Sequence, residues 1–243
     1  MKKILFFIPT LNEEKTITNL VRQIVITYPE SSILILDDNS QDKTTINLFE
    51  LNLSNLYIKI RENERGIGSA HLFAINYAQN FGYDFLVTMD GDGTHLVKDA
   101  APIIRKLNSQ DVDVVIGSRF NHESSFIEWP KFRILLSYLG HMATKFGLGF
   151  DFDFSSGFRG YNINSLKSLQ PFKNFEANTY DFFPLSAFCM LEKGFKFGEV
   201  PLTVYGREYG RSKMNFKLMC KSIFRLILLI FRFRIRNLLK HSK

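Results

Sequence analysis

The sequence is poor in cysteine and has no long uncharged apolar run. Its two cysteines, Cys189 and Cys220, lie far apart inside apolar segments, which excludes a disulfide framework and fits a reducing compartment. The start, MKKILFFIPTLNEE, has two lysines, but its apolar run ends at Pro9 and two glutamates follow. We therefore predict a first β-strand there instead of a signal peptide. With 243 residues, 45% of them hydrophobic, the chain is long enough to bury a sizeable core.

Acidic residues are missing from residues 211–243, which carry ten of the 31 lysines and arginines. Residues 1–210 hold the other 21 basic residues and all 24 acidic ones, so their net charge is −3, whereas that of the whole chain is +7. We predict a mildly acidic domain at residues 1–213 and a basic amphipathic segment at residues 214–243. Because the domain is acidic and has no recognised nucleic-acid-binding module, nucleic acid is not expected as a partner.

The basic segment has helical spacing, but charges interrupt it too often for a membrane span. Its longest uncharged run is six residues, 226–231, against the roughly 20 that a spanning helix needs. Lys217, Lys221 and Arg225 recur at every fourth residue beside Leu, Ile and Phe. This pattern is typical of a helix that lies in an anionic membrane interface. The alternative is a helix packed on the domain or on a partner subunit.

Short apolar runs alternate with segments of helical apolar spacing. The runs lie at residues 3–9, 32–38, 56–60, 84–90 and 113–118. Strands that alternate with helices predict an α/β fold, with a mostly parallel sheet and helices on both faces. In such sheets ligands bind beyond the carboxyl ends of the strands. The residues that follow these runs are therefore the candidates for a site.

Three of the runs lead into polar motifs: PTLNE (9–13), DDNSQDKT (37–44) and DGD (90–92). Turn and helix-cap chemistry explains any one of them, but three at one edge of a sheet indicate a ligand. Asp90 and Asp92 flank Gly91 and can aim both carboxylates at Mg²⁺ or Mn²⁺.

A fourth motif, ERGIGSAH (64–71), is similar to a nucleotide-binding glycine loop. It does not complete the pattern G-x-G-x-x-G, and it follows the third strand run and not the first, so a dinucleotide site is not predicted. We predict instead a tight turn into a helix, with Arg65 near the ligand.

In this order the three polar motifs resemble family-2 glycosyltransferases of the GT-A fold. Four later stretches resemble the polyprenyl-phosphate branch of that family, which includes dolichol-phosphate mannosyltransferase: GSRF (117–120), WPKFR (129–133), DFSSGFRGYN (153–162) and EVPLTVYGREYGRSKM (199–214). The resemblance implies an inverting, metal-dependent enzyme that transfers a hexose to a polyprenyl phosphate at the cytoplasmic face of a membrane. The implied donor is GDP-mannose, with a UDP-hexose as the alternative.

The resemblance also implies roles for individual residues. It implies that the nucleotide is contacted by Pro9, Leu11, Glu13, Leu36 and Asp38. At one of these positions, Leu11 replaces a tyrosine that is usual in this branch. The diphosphate and metal site falls to Asp90, Gly91 and Asp92, with Thr94 as a further ligand of Mg²⁺ or Mn²⁺. The cations around the phosphates, which with Asp92 make up the catalytic set, are Arg119, Arg207 and Lys213. The acceptor side falls to Arg133 and Arg159.

The acceptor chemistry agrees with these arginines. A phosphate monoester has a second pKa of about 6, so at neutral pH it needs charge compensation and not a base, and guanidinium groups match its oxygens. A saccharide hydroxyl would need a base, for which Asp181 is the candidate. That alternative stays open, as does a catalytically silent, membrane-associated partner subunit. The cationic, glycine-punctuated loop at residues 205–214 has the composition of a lid, and we expect it to order over donor and metal.

Overall fold

Apolar strands form the centre of the structure, as the sequence predicts. The computed structural model describes residues 2–121, 124–169, 182–206, 227–228 and 230–231. Five strands match the predicted runs: β1 (Ile4–Thr10), β2 (Ser32–Asp37), β3 (Leu56–Ile60), β4 (Phe85–Thr88) and β5 (Val114–Ser118). Four more have no counterpart in the prediction: β6 (Ser125–Ile127), β7 (Arg159–Asn162), β8 (Phe197–Pro201) and β9 (Thr203–Tyr205).

The main sheet is mostly parallel. Its seven described strands lie in the order β3-β2-β1-β4-β7-β5-β8, and β7 runs antiparallel to both of its neighbours. Strand β1 pairs in parallel with β2 on one side and with β4 on the other. The carboxyl ends of β1, β2 and β4, which carry the three polar motifs, therefore open at one edge. Strands β6 and β9 form a separate parallel ladder.

Helices cover both faces of the sheet, which confirms the predicted fold class. They are α1 (Ile17–Thr27), α2 (Thr44–Phe49), α3 (Ile67–Asn80), α4 (Ala100–Asn108), α5 (Lys131–Leu148), α6 (Ile163–Leu169) and α7 (Phe182–Glu192), with a 3-10 turn at Val97–Asp99. In β1, Phe6 and Ile8 point into one core cluster while Leu5 and Phe7 point into a second one on the opposite face. This alternation follows from the two-residue period of a strand.

The basic segment at 214–243 and the domain boundary before it lie almost entirely outside the described residues. Ile230 is the informative exception, because it contacts α5. A Cβ atom on Gly147 would lie 2.5 Å from Ile230 Cδ1, so the glycine allows the close approach. Among the described residues, no helix is both long and apolar enough to cross a membrane.

Candidate active site

A cavity of about 500 Å³ opens beyond the carboxyl ends of the strands, where ligands of parallel α/β sheets bind. Its lining includes ten of the residues predicted for the site. These are Pro9, Leu11, Glu13, Asp38, Asp90, Gly91, Asp92, Thr94, Arg119 and Arg133. Arg65, Trp129 and His95 line it as well. Residues from six separate parts of the chain thus meet in one space of the size usual for small-molecule sites.

The turn after β4 brings Asp90 and Asp92 to the cavity wall. Gly91 packs against β1 so closely that a Cβ atom there would lie 3.3 Å from side-chain carbons of both Ile8 and Thr10. The glycine therefore lets the turn lie directly on the neighbouring strand. The backbone N–H of Asp90 donates to His95 Nδ1 over 3.2 Å, which requires that this ring nitrogen carries no proton.

Asp92 is oriented by the residue that sequence analysis predicts as a metal ligand. Thr94 donates to Asp92 Oδ1 twice, from its backbone N–H (3.1 Å) and from its hydroxyl (2.7 Å). Both residues are buried. The Thr94 hydroxyl and N–H therefore orient the Asp92 carboxylate, and the role of Thr94 as a further metal ligand stays a prediction.

The two carboxylates fit a hard divalent cation that draws its other ligands from substrate. Within the described ranges, no group of three or more His, Cys, Asp or Glu side chains is arranged to hold a metal ion by itself. Mg²⁺ is commonly bound by one or two carboxylates together with water and substrate phosphates. Asp90 and Asp92 in the wall of a cavity large enough for a diphosphate match that pattern.

In the motif DDNSQDKT the two adjacent aspartates have different functions. Asp37 is fully buried and accepts hydrogen bonds from Thr10 Oγ1 (2.9 Å) and the Ser40 N–H (2.7 Å). It therefore ties the loop after β2 to the end of β1. Asp38 lines the cavity, where it is available to a ligand.

Asp38 is held by a residue that sequence analysis missed. Arg61 directly follows β3 and bonds to Asp38 Oδ1 through Nε (2.7 Å) and Nη2. The Gly66 N–H donates to the other carboxylate oxygen over 3.0 Å. At Gly66 the backbone φ is +131°, and α3 begins at the next residue. The predicted tight turn into a helix is confirmed, and Arg65 lines the cavity.

The side chain of Arg119, which directly follows β5, is held by the buried carboxylate of Asp153. Its Nε and Nη2 donate to Asp153 Oδ2 and Oδ1, each over 2.8 Å, and its backbone N–H adds a third bond of 3.1 Å. Burial would raise the pKa of Asp153, but the charge and hydrogen bonds of Arg119 outweigh burial and lower it. The pair is therefore charged, and it fixes the guanidinium in the cavity wall, which Asp90 also lines; the charge of Asp90 raises the pKa of Arg119 further.

The family assignment follows from a match of residues 6–169 to the model described as "Glycosyl transferase family 2". The chain belongs to glycosyl transferase family 2. It is 29% identical over 216 residues to the undecaprenyl-phosphate mannosyltransferase of Micrococcus luteus, with 88% of each chain covered. It is also 29% identical over 249 residues to the UDP-N-acetylglucosamine–dolichyl-phosphate N-acetylglucosaminyltransferase of Methanococcus voltae, which covers 94% of this chain and 96% of the relative.

Solved structures extend the likeness to the fold of this glycosyltransferase. Glucosyl-3-phosphoglycerate synthase of Mycobacterium tuberculosis, in a complex with Mn²⁺, UDP-glucose and phosphoglyceric acid, superimposes with a TM-score of 0.69 at 18% identity. The match covers 94% of this chain and 79% of that one. The GT-A fold predicted from the sequence is thereby confirmed.

Arg133 and Trp129 add a basic and an aromatic side chain to the cavity of the glycosyltransferase. Both line it, and the guanidinium carbon of Arg133 lies 5.2 Å from the centre of a Trp129 ring, within the range of a cation–π contact. The indole N–H of Trp129 donates to the carbonyl of Tyr205 over 2.9 Å. The first turn of α5 is thus connected to the end of β9.

Two predicted ligand contacts are corrected by the structure. Leu36 is fully buried in the second core cluster, where it packs with Phe7 and Leu34, so its side chain cannot reach a nucleotide base. Arg159 is also fully buried. Its guanidinium donates to the carbonyls of Ser156, Phe154 and Phe183 over 2.8, 2.7 and 3.1 Å, so it ties α7 to the segment before β7 and does not face an acceptor.

Three further predicted residues lie outside the described residues: Arg207, Lys213 and Asp181. The predicted lid, residues 205–214, is described only at Tyr205 and Gly206. Asp153 and Arg61 are the functional partners that sequence analysis missed. Asp153 lies in the quoted stretch DFSSGFRGYN, but its pairing with Arg119 spans 34 residues and leaves no local signal.

Proposed function

We propose that this glycosyltransferase moves a hexose from a nucleoside diphosphate sugar to the phosphate of a polyprenyl phosphate, with inversion at the anomeric carbon. The observation that carries the proposal is the composition of one cavity. It combines the Asp90 and Asp92 turn with two arginines, Arg119 directly after β5 and Arg133 in α5. A site of this kind neutralises a leaving diphosphate and binds an anionic acceptor at the same time.

The residues have distinct tasks in the proposed reaction. A bound Mg²⁺ or Mn²⁺ would supply charge to the leaving diphosphate, and Asp90 and Asp92 would hold it. Asp38, fixed by Arg61, contacts the nucleoside. Arg119 and Arg133 orient the acceptor phosphate, whose oxygen forms the new bond to the anomeric carbon while the bond from that carbon to the diphosphate oxygen breaks. The acceptor oxygen is already ionised, so this step needs no general base.

The relatives support the acceptor class better than the sugar. The Micrococcus luteus and Methanococcus voltae proteins carry names with a polyprenyl-type phosphate acceptor, yet one transfers mannose and the other N-acetylglucosamine. GDP-mannose is our first choice of donor and a UDP-hexose the second. The catalytic domain is assigned to residues 1–213, with Arg207 and Lys213 as additional cations near the phosphates.

A polyprenyl phosphate lies in a membrane, and helix α5 supports a peripheral position at a membrane surface. Its exposed apolar side chains are spaced by three and four residues, at Phe132, Leu135, Leu139, Met142 and Phe146, and are 42–64% exposed. This stripe spans about 21 Å of helix. Residues 131–148 contain three basic residues and no acidic one, which suits an anionic lipid surface.

The stripe is continuous with the cavity, because Arg133 lies in the first turn of α5 and lines the cavity. A lipid phosphate that reached Arg133 would leave its chain beside the apolar side chains of the stripe. The basic segment at 214–243 would add a second lipid contact. We further propose the cytoplasmic face of a membrane, which the resemblance to polyprenyl-phosphate glycosyltransferases implies.

A transfer assay tests the proposal. Purified protein is incubated with Mg²⁺ or Mn²⁺, a short polyprenyl phosphate and labelled GDP-mannose, UDP-glucose or UDP-N-acetylglucosamine in parallel. We expect lipid-extractable label from one donor, and its loss when a chelator removes the metal. Nucleotide binding without label in lipid from any donor would contradict a polyprenyl phosphate acceptor. Absence of nucleotide binding would contradict the enzyme assignment itself.

A further inference from the structure

We propose that Trp129 is a positioning residue that couples the metal side of the cavity to the acceptor side through the main chain of Tyr205. The inference rests on the proposed function for the identity of the two ligands. Through this link, occupancy of one side of the cavity changes the affinity at the other.

The first link joins Tyr205 to the metal turn. The backbone N–H of Tyr205 donates to the carbonyl of Thr94 over 3.2 Å, and the Thr94 hydroxyl donates to Asp92 Oδ1 over 2.7 Å. A shift of Asp92 on binding a metal diphosphate therefore acts directly on the end of β9. Thr94 is buried, so little space exists to absorb such a shift locally.

The second link joins Tyr205 to the acceptor side. Its carbonyl accepts the indole N–H of Trp129 over 2.9 Å, and the ring of Trp129 carries the guanidinium of Arg133 at 5.2 Å. The backbone of one residue thus bonds to the metal turn by its N–H and to the acceptor wall by its carbonyl. These are contiguous contacts of the kind that transmit coupling between sites.

The backbone around Tyr205 is also tightly packed, which limits how far Tyr205 can move. Strand β9 pairs with β6 from Thr203 to Tyr205, and the N–H of Gly206 donates to the Ile127 carbonyl over 2.7 Å. A Cβ atom on Gly206 would lie 2.5 Å from the Glu128 carbonyl oxygen, so a glycine is needed where the predicted lid begins. Displacement of Tyr205 must therefore move Trp129 with it.

The coupling factor is the affinity for polyprenyl phosphate with Mg²⁺ and a nucleoside diphosphate bound, divided by the affinity without them. In the wild type, Mg²⁺ with a nucleoside diphosphate should strengthen binding of polyprenyl phosphate, and the reverse must hold to the same factor. Trp129→Phe keeps an aromatic ring for Arg133 but removes the N–H together with the second ring of the indole. One hydrogen bond contributes on the order of three- to tenfold, so we expect this variant to lower the coupling factor by about that amount. Its affinity for the nucleotide alone should stay within about twofold.

The experiment measures binding of a short polyprenyl phosphate by calorimetry, with and without Mg²⁺ and GDP, or UDP if the wild type prefers it. The variants are Trp129→Phe and, as a matched control, Phe126→Leu, which alters the β6 ring that packs on Trp129 with 5.5 Å between the ring centroids but leaves the indole N–H in place. We expect the control to keep the wild-type coupling factor. An unchanged factor in Trp129→Phe, or an equal loss in both variants, would overturn the proposal.

A second readout separates this proposal from the proposed function. Trp129 is the only tryptophan of the chain, so the protein gives a single indole N–H signal in a nitrogen-15 NMR spectrum. We expect Mg²⁺ with nucleotide to slow hydrogen exchange of that proton without any acceptor present. If the wild type binds no polyprenyl phosphate, the proposed function fails, and this exchange rate still decides the coupling: an unchanged rate overturns it.

Discussion

The two sides of the cavity are built in different ways. On the side that we propose for the donor, side chains bond the loops after β1 and β2 to each other. The Asn12 N–H donates to Ser40 Oγ and the Gln41 N–H donates to Asn12 Oδ1, each over 2.8 Å. The side that we propose for the acceptor consists of a two-stranded ladder and of α5, which exposes six large hydrophobic side chains. A rigid polar wall suits a nucleotide of fixed shape. An apolar, open wall suits a ligand whose larger part stays in a lipid phase.

The largest effect is expected on the donor side, at the metal. Asp92→Asn keeps the size of the side chain but removes the charge that would hold the cation, and we expect kcat/KM for transfer to fall about 10²- to 10³-fold. Transfer is measured at saturating Mn²⁺, with circular dichroism to show that the variant is folded. Activity within tenfold of the wild type would contradict a metal role for Asp92.

The next effect concerns the ion pair of Arg119, which lines the cavity, with the fully buried Asp153. Asp153→Asn leaves the guanidinium of Arg119, only 12% exposed, without its counter-charge, and we expect the free energy of unfolding to fall by about 3–5 kcal/mol. The matched control is Asp151→Asn, because Asp151 is 62% exposed and pairs with Lys145 on the surface. That control should lose less than about 1 kcal/mol. Chemical denaturation measures both, and equal losses would refute the distinction.

The same pair predicts a pH dependence. The pKa of Asp153 is lowered in the folded protein from its ordinary value of 3.8. The stability that the carboxylate contributes is therefore fully present above that value and is lost as the pH falls through the lowered pKa. We expect the wild type to lose stability more steeply than Asp153→Asn below about pH 4. Parallel acid limbs in denaturation curves of the two proteins would count against the charged pair.

A third comparison separates Arg133 from Arg159, which the sequence analysis assigns alike to the acceptor side. Arg159→Met removes donors to three buried carbonyls and should cost about 2–3 kcal/mol of stability, with the acceptor KM of the folded fraction unchanged. Arg133→Met should raise the acceptor KM about tenfold, a typical loss for a charged hydrogen bond, with little change in stability. Thermal unfolding and initial rates measure the two effects. The reverse assignment of effects would restore Arg159 to the acceptor side.

The smallest expected effect is on membrane binding by the apolar stripe of α5. Leu139→Ser removes one apolar side chain from the stripe on α5 and should weaken partition into vesicles of equal parts phosphatidylcholine and phosphatidylglycerol by about tenfold, as expected for loss of up to about 1.5 kcal/mol of apolar burial. Phe49→Ser is the control, because Phe49 is 59% exposed but lies in α2. Vesicle sedimentation measures partition. Equal weakening in both variants would remove α5 from the membrane contact.

Local patterns in the sequence predict which strand ends meet at the cavity. Asp38, Asp90 and Asp92 follow apolar runs, and the parallel topology brings such strand ends together. The acceptor side depends on pairings that are distant in the chain, such as that of Ser125 with Thr203, which local spacing does not encode. Arg159 was misassigned because a basic residue in a polar motif suggests a ligand, whereas its place in β7, between β4 and β5, buries it.

The most direct test of the account is a comparison of acceptors with the donor that the transfer assay selects. Polyprenyl phosphate, 3-phosphoglycerate and an oligosaccharide are offered in parallel, with Arg133→Met beside the wild type. The account predicts product with polyprenyl phosphate, reduced at low acceptor concentration in the variant, and none with the other two. Product with the oligosaccharide or with 3-phosphoglycerate, and none in lipid, would contradict it.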